Sequence, residues 1–176
     1  MKLNLKLTVT VLLFSFVFSS ASAQKRAKKK ADEDTMEWRY EIECVGTGTD
    51  GNYLIKVWSF SKRPHVAAEQ AKKNAVHGVI FKGVPQGDRG CVSQPPLARS
   101  STLEQENAYF FQDFFREGGK YQKFVNLTTN GAVAAGDRLK IGRREYKIGI
   151  IVSVNKALLR QDLEDAGIVR GLSSGF

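Results

Sequence analysis

Residue types that build metal and catalytic sites are scarce in this chain, which has 2 cysteines and 2 histidines among 176 residues. The histidines, His65 and His77, fall in one predicted helix. Their spacing of 12 positions separates them by about 18 Å of rise and about 120° of net rotation, so they cannot share a metal ion. The one Gly-x-Ser-x-Gly string, Gly171 to Gly175, falls in a tail with no predicted strand before it or helix after it, so it is not a nucleophile elbow, and no Cys-Gly-x-Cys sequence is present. We therefore expect no catalytic residue, no cofactor site and no metal site.

Long apolar runs are scarce as well. The run Leu7–Phe18 has 12 residues, fewer than the roughly 20 that a transmembrane helix needs. Lys2 and Lys6 precede it, and the small residues Ala21-Ser22-Ala23 follow it, as in a cleavable signal peptide. The sequence predicts a signal peptide over residues 1–23, cleaved after Ala23, and a periplasmic or secreted protein. No cysteine lies near the cleavage point, so a lipid anchor is not expected.

Positive charge is in excess, with 27 Lys and Arg against 18 Asp and Glu, but it is unevenly placed. Five basic residues crowd into residues 24–36, which we interpret as a disordered basic linker. A nucleic-acid-binding protein more often carries its charge on the folded surface, so nucleic acid is not an expected partner. The linker is either a solvated tail or a site of peripheral contact with anionic membrane or glycan, through Lys28, Lys29 and Lys30.

The cysteines Cys44 and Cys91 form an even pair in a chain with export features, which favours a disulfide. The alternative is a pair of buried free thiols. A bond would tie the first predicted strand to the loop 84–100, a long Gly- and Pro-rich connection that is either functional or pinned.

The hydrophobic pattern predicts one α+β domain over residues 37–176. Apolar residues alternate through Trp38–Cys44 and again through Tyr53–Phe60 after the turn signal Asp50-Gly51, which indicates a hairpin. A helix with a ridge of small residues follows over 65–81, and a second helix, capped by Ser101 or Thr102, runs to about Glu117. The remaining predicted elements are strands 121–127, 139–141 and 145–154 and a helix 156–165 capped by Asn155; the tail 168–176 is not assigned.

The resulting order, β-β-α-α-β-β(β)-α, predicts an antiparallel or mixed sheet of four to five strands with helices packed on one face. One string, Gly46-x-Gly48-x-x-Gly51, matches a dinucleotide fingerprint. A strand rather than a helix begins after it, so we interpret it as a turn.

The second helix is rich in aromatic residues. Five lie within seven positions: Tyr109, Phe110, Phe111, Phe114 and Phe115. We expect Phe110, Phe111 and Phe114 in the core, with Tyr109 and Phe115 at its flanks. The helix is then either deeply buried or presents Tyr109 and Phe115 as an aromatic edge that binds a partner.

One region resembles a known envelope module. It comprises a Gly-rich strand turn, a hairpin and an Ala-rich helix with an Asn-Ala pair: Val45-Gly46-x-Gly48 and Ala67-Ala68-x-x-Ala71-x-x-Asn74-Ala75. Over Tyr40 to Gly83 it resembles the N-terminal domain of flagellar assembly protein T and related membrane-associated lipoproteins. The whole chain also resembles uncharacterised exported proteins of Bacteroidota. These resemblances imply a non-enzymatic role in an envelope assembly.

Three functions remain open from the sequence. The first is an exported, non-enzymatic module that binds another periplasmic or outer-membrane protein. The second is a hydrolase of cell-wall or polysaccharide material, using Cys91 beside His77 or a pair of carboxylates facing one cleft. The third is binding of anionic lipid or glycan through the basic linker. The oligomeric state is not predicted.

Overall fold

The computed structural model describes residues 38–48, 51–61, 66–87, 90–143 and 145–171. The predicted signal peptide, the basic linker with Lys28, Lys29 and Lys30, and His65 lie outside the described residues. The strands are β1 (Tyr40–Thr47), β2 (Asn52–Ser61), β3 (Val125–Leu127), β4 (Arg138–Lys140) and β5 (Tyr146–Asn155). The helices are α1 (Ala67–Phe81), α2 (Leu103–Glu106), α3 (Ala108–Phe115) and α4 (Lys156–Asp165), with 3-10 helices at Lys120–Phe124 and Ala135–Asp137.

The strands form one curled antiparallel sheet. β1 pairs with β2, β2 pairs with β5 along its whole length, and the short strands β3 and β4 both pair with the far edge of β5. The α+β prediction is confirmed, and the sheet is antiparallel rather than mixed. Within the described part of the chain, no helix has the length and apolar character needed to cross a bilayer.

One face of the sheet is the core face, and α1 lies across it. Ile55 and Val57 of β2 are register partners of Val152 and Ile150 of β5, and all four side chains are buried. The predicted ridge of small residues lets α1 approach closely. At Gly78, a Cβ atom would collide with the side chain of Ile42 on β1. Close approach here brings residues of α1 within reach of residues on β1.

The loop 84–100 is pinned at several points. A disulfide joins Cys44 of β1 to Cys91, as the sequence predicts. Val84 forms a bridge with Gln94, and the N–H groups of Leu97 and Ala98 donate to carbonyl groups near the end of α1. These contacts hold the loop against the end of α1, and the start of α2 is fixed relative to α1 as a result.

The predicted second helix is two helices, because Asn107 interrupts it. Its φ and ψ angles of −116° and 35° are not helical. Its side-chain amide donates to the carbonyl of Leu103, four residues earlier, and such local hydrogen bonds compete with regular helix geometry. The second segment ends at Phe115, not at Glu117. Residues on both sides of the break line the cavity described below.

The predicted strand 121–127 is also shorter in the structure. Lys120–Phe124 is a 3-10 helix, and pairing with β5 begins at Val125. Tyr121 and Phe124 are both buried, and a 3-10 turn places residues three apart on one side, which explains the preference. Other boundaries shift by up to three residues, and Thr102 precedes α2 as expected but makes no side-chain cap hydrogen bond. The predicted cap at Asn155 is confirmed, since its side chain accepts the N–H of Leu158 at 2.9 Å.

Replacing both Cys44 and Cys91 with alanine should lower the free energy of unfolding by about 4 kcal/mol, because the bond restricts the unfolded chain. Urea unfolding of the oxidised protein and of the double variant measures this difference. Reduced wild-type protein should unfold at the urea concentration of the double variant. Equal stability of the oxidised protein and the variant would contradict a structural role for the bond.

Candidate functional site

A cavity of about 550 Å³ opens between α1, α2, α3 and Trp38, which lies two positions before β1. This volume is within the roughly 300–1,000 Å³ range of small-molecule sites. Its apolar lining consists of Trp38, Ala108, Phe111 and Phe115. Its polar lining consists of Lys73, Glu104, Gln105, Gln112, Arg116 and Glu117. The site thus combines an aromatic interior with side chains of both charges.

A buried hydrogen-bonded network forms one wall of this cavity. Nε2 of His77 on α1 lies 3.3 Å from Oε2 of Glu104 on α2, and because an ionised carboxylate can only accept, Nε2 carries the proton and donates. Nδ1 is then an acceptor, and the hydroxyl of Tyr40 on β1, 2.6 Å away, donates to it. The indole Nε1 of Trp38 donates to the other oxygen of Glu104, Oε1, at 3.0 Å. Three separate parts of the chain are therefore joined through one imidazole and one carboxylate.

The charge states in the network follow from burial. Desolvation lowers the pKa of His77, an effect that the nearby Glu104 opposes only in part. The hydrogen bond from His77 lowers the pKa of Glu104, although partial burial of the carboxyl opposes it. Burial, aided by Glu104, raises the pKa of Tyr40. At neutral pH the network is a neutral imidazole between a neutral phenol and an ionised carboxylate, so the contact of His77 with Glu104 is a hydrogen bond rather than an ion pair.

Trp38 covers the network from the cavity side. Its ring stacks on His77 with 3.7 Å between ring centroids and meets Phe115 edge-on at 5.0 Å. Its backbone has a φ of 46°, a left-handed conformation that bulky residues rarely adopt. Such a conformation persists where surrounding contacts over-determine it. The stack on His77 and the hydrogen bond to Glu104 are those contacts here.

Lys73 is a buried cation in the cavity wall, and its side chain lies one turn before His77 on α1. Only 4% of the residue is exposed. Burial lowers its pKa to about 8, while the negative charge of Glu117 acts in the opposite direction. Its Nζ atom lies 5.7 Å from the ring centroid of Tyr121. The charge of Lys73 is therefore sensitive to any anion that enters the cavity.

The aromatic side chains of α3 are placed differently from the expectation. Tyr109 is 91% exposed, as expected for a flank residue. Phe115 is only 6% exposed, so it lies in the core rather than at its flank, and of the two alternatives the structure favours burial for this residue. Trp38 and Tyr121 pack against it and remove it from solvent. Phe110, expected in the core, is only partly buried. A binding role for Tyr109 or Phe115 stays a prediction.

The nucleophile considered for a hydrolase is not available in this structure. Cys91 is bonded to Cys44, and both ring nitrogens of His77 are engaged by Tyr40 and Glu104. A Cys91–His77 pair is therefore not formed. Among the described residues, no group of three or more His, Cys, Asp and Glu side chains is arranged to hold a metal ion.

Sequence reasoning did not find Trp38, Lys73 or Glu104 as site residues. Trp38 and Glu104 bond across 66 positions of chain, and no local pattern encodes such a contact. His77 and the aromatic residues of α3 were noted in the sequence, but nothing there indicates that they lie together in the fold.

The comparisons with known proteins are negative. No protein-family model matches the chain, and no curated protein or solved structure gives a significant match. The resemblance to the N-terminal domain of flagellar assembly protein T therefore stays a prediction. The functional argument depends on the geometry of the cavity and its surroundings.

Stability should fall as the pH drops below 6.5. Folding lowers the pKa of His77 from 6.5, so the unfolded chain takes up this proton first. The contribution of neutral His77 is complete above pH 6.5 and is lost as the pH falls towards the lower pKa of the folded state. Urea unfolding at a series of pH values measures this loss.

The variant His77→Gln is the control, because glutamine does not titrate but can still hydrogen-bond. The other titrating groups, including His65, are common to both proteins, so the difference between their pH profiles isolates His77. The two profiles should converge as the pH falls from 7 to 5. Parallel profiles over this range would show that His77 titrates as it does in the unfolded chain.

Proposed function

We propose that this protein is an exported, non-enzymatic binding module that assembles with another protein of the cell envelope. The observation that carries the proposal is the exposed ring of Tyr109, which lies on the short helix α3 beside the cavity. Large aromatic side chains are enriched among the residues that dominate protein interfaces.

The disulfide supports the exported location. Bonds of this kind persist in oxidising compartments and are rare in reducing ones. Cys44–Cys91 joins the edge strand β1 to the loop that leads to α2, so it holds together two segments next to the site. An oxidising compartment also agrees with the interpretation of residues 1–23 as a signal peptide.

The surroundings of Tyr109 indicate the chemistry of the partner surface. On α3, Gln112 and Asp113 lie about one turn from Tyr109, and Arg116 directly follows the helix. All three are exposed and polar, and Arg116 pairs with Asp113 at 2.7 Å. The partner is a protein surface with an apolar or aromatic side chain for Tyr109 and polar groups around it.

Binding is favoured over polysaccharide hydrolysis by the states of the two cavity carboxylates. Both oxygens of Glu104 are engaged, by Trp38 and His77, and its pKa is lowered. Glu117 is exposed. A glycosidase needs one carboxyl kept protonated by an apolar environment, whereas the hydrogen bonds to Glu104 favour its ionised form.

A photoreactive phenylalanine analogue placed at position 109 should form a specific cross-link to one envelope protein in living cells. The matched control is the same analogue at position 158, where Leu158 is an exposed apolar residue on α4. With the cross-linked partner purified, Tyr109→Ser should weaken binding about 30-fold, the typical effect of losing an interface hot spot.

The proposal is contradicted if positions 109 and 158 give the same set of cross-links. It is also contradicted if the purified partner binds wild-type protein and Tyr109→Ser with the same affinity. Both replaced residues are exposed, so we expect each variant to keep the fold. Circular dichroism of each variant checks this.

A further inference from the structure

We infer that the cavity between α1, α2 and α3 binds a zwitterionic ligand with an apolar body, of the class of an aromatic amino acid or a short aromatic peptide with free termini. This ligand is distinct from the protein partner proposed above. The inference depends on the lining of the cavity, whereas the partner proposal depends on Tyr109, which does not line it; Gln112 and Arg116 border both.

The interior of the cavity suits the apolar body of such a ligand. Trp38, Phe111 and Phe115 present ring atoms to the cavity, and Ala108 leaves space between them. The rings are held in place: Phe111 stacks with Phe115 at 6.2 Å, and Trp38 meets Phe115 edge-on. A rigid aromatic lining binds a flat apolar group with little loss of side-chain freedom.

Glu104 suits the ammonium group of the ligand. Its carboxylate is ionised and fixed by Trp38 and His77, so it does not need to reorganise when a cation arrives. Each of its oxygens accepts one protein hydrogen bond and has a second lone pair. Its side chain is 33% exposed, which leaves the carboxylate accessible from the cavity.

Lys73 and Arg116 suit the carboxylate group of the ligand. Both line the same cavity as Glu104. Lys73 is buried, so its ammonium gains more from a nearby anion than an exposed lysine would. Arg116 pairs with Asp113 through Nε, and a guanidinium has five N–H donors in all.

The balance of charge decides the class of ligand. Two carboxylates, Glu104 and Glu117, and two cations, Lys73 and Arg116, share one lining. A simple anion would meet the field of the carboxylates, and a simple cation would meet that of Lys73. A ligand that carries both charges at its ends and an apolar group between them complements all three parts of the lining.

The test is calorimetric titration of the oxidised protein with a phenylalanyl-phenylalanine dipeptide in four forms: free, N-acetylated, C-amidated and doubly capped. The free form should bind most tightly, and each cap should weaken binding about tenfold, the effect of losing one charge-assisted hydrogen bond. Equal affinity of the free and doubly capped forms overturns the inference, as does the absence of binding by the free form at millimolar concentration.

Variants assign the two ends of the ligand. Glu104→Gln should remove the preference for a free amino end, and Lys73→Met should remove the preference for a free carboxylate end. Lys72→Met is the matched control for Lys73→Met, because Lys72 is adjacent on α1, pairs with Glu69 and does not line this cavity. Loss of the carboxylate preference in Lys72→Met, or its retention in Lys73→Met, contradicts the assignment.

A further pair of variants tests the position of the ligand without changing any charged residue. Ala108→Trp fills the cavity from an exposed position and should abolish binding of the free dipeptide. Ala157→Trp, at an exposed alanine of α4, should leave it unchanged. Thermal unfolding verifies that both variants fold. Undiminished binding by Ala108→Trp places the ligand elsewhere, and cross-linking at position 109 is not affected by that result.

Discussion

The imidazole of His77 is the contact on which the candidate site depends. It joins β1, α1 and α2 through hydrogen bonds to Tyr40 and Glu104, and it carries the stacked ring of Trp38. Because the ring is buried and neutral, one nitrogen donates and the other accepts. The hydrogen bond from Nε2 helps to fix the orientation of the Glu104 carboxylate. A buried polar network of this kind is stabilising only when every member is satisfied, so its parts depend on one another.

Much of the framework could be predicted because its signals are local. Alternation identifies β1 and β2, small residues at helical spacing identify the sheet-facing side of α1, and Asn155 identifies the start of α4. The disulfide prediction needed only an even cysteine count and an export context. The break at Asn107 was not foreseen, since the side-chain hydrogen bond that produces it competes with a pattern that otherwise favours one continuous helix.

The site itself could not be predicted, because it is made of contacts between distant positions. The spacing of aromatic residues on α3 predicts which of them share a side, but not what covers each side. Trp38 packs against Phe115, whereas Tyr109 remains exposed. Trp38 lies 77 positions before Phe115 in the chain. Its place depends on a left-handed backbone conformation and on Glu104, neither of which has a signal in the surrounding sequence.

The most direct test of this account is the protonation state of the His77 ring, measured by nitrogen-15 NMR on protein labelled at histidine. His77 should be neutral at pH 7, with the proton on Nε2 and with Nδ1 in the chemical-shift range of a hydrogen-bond acceptor. A ring protonated on both nitrogens at pH 7, or one with its proton on Nδ1, would contradict the arrangement of Tyr40, His77 and Glu104 from which the geometry of the cavity follows.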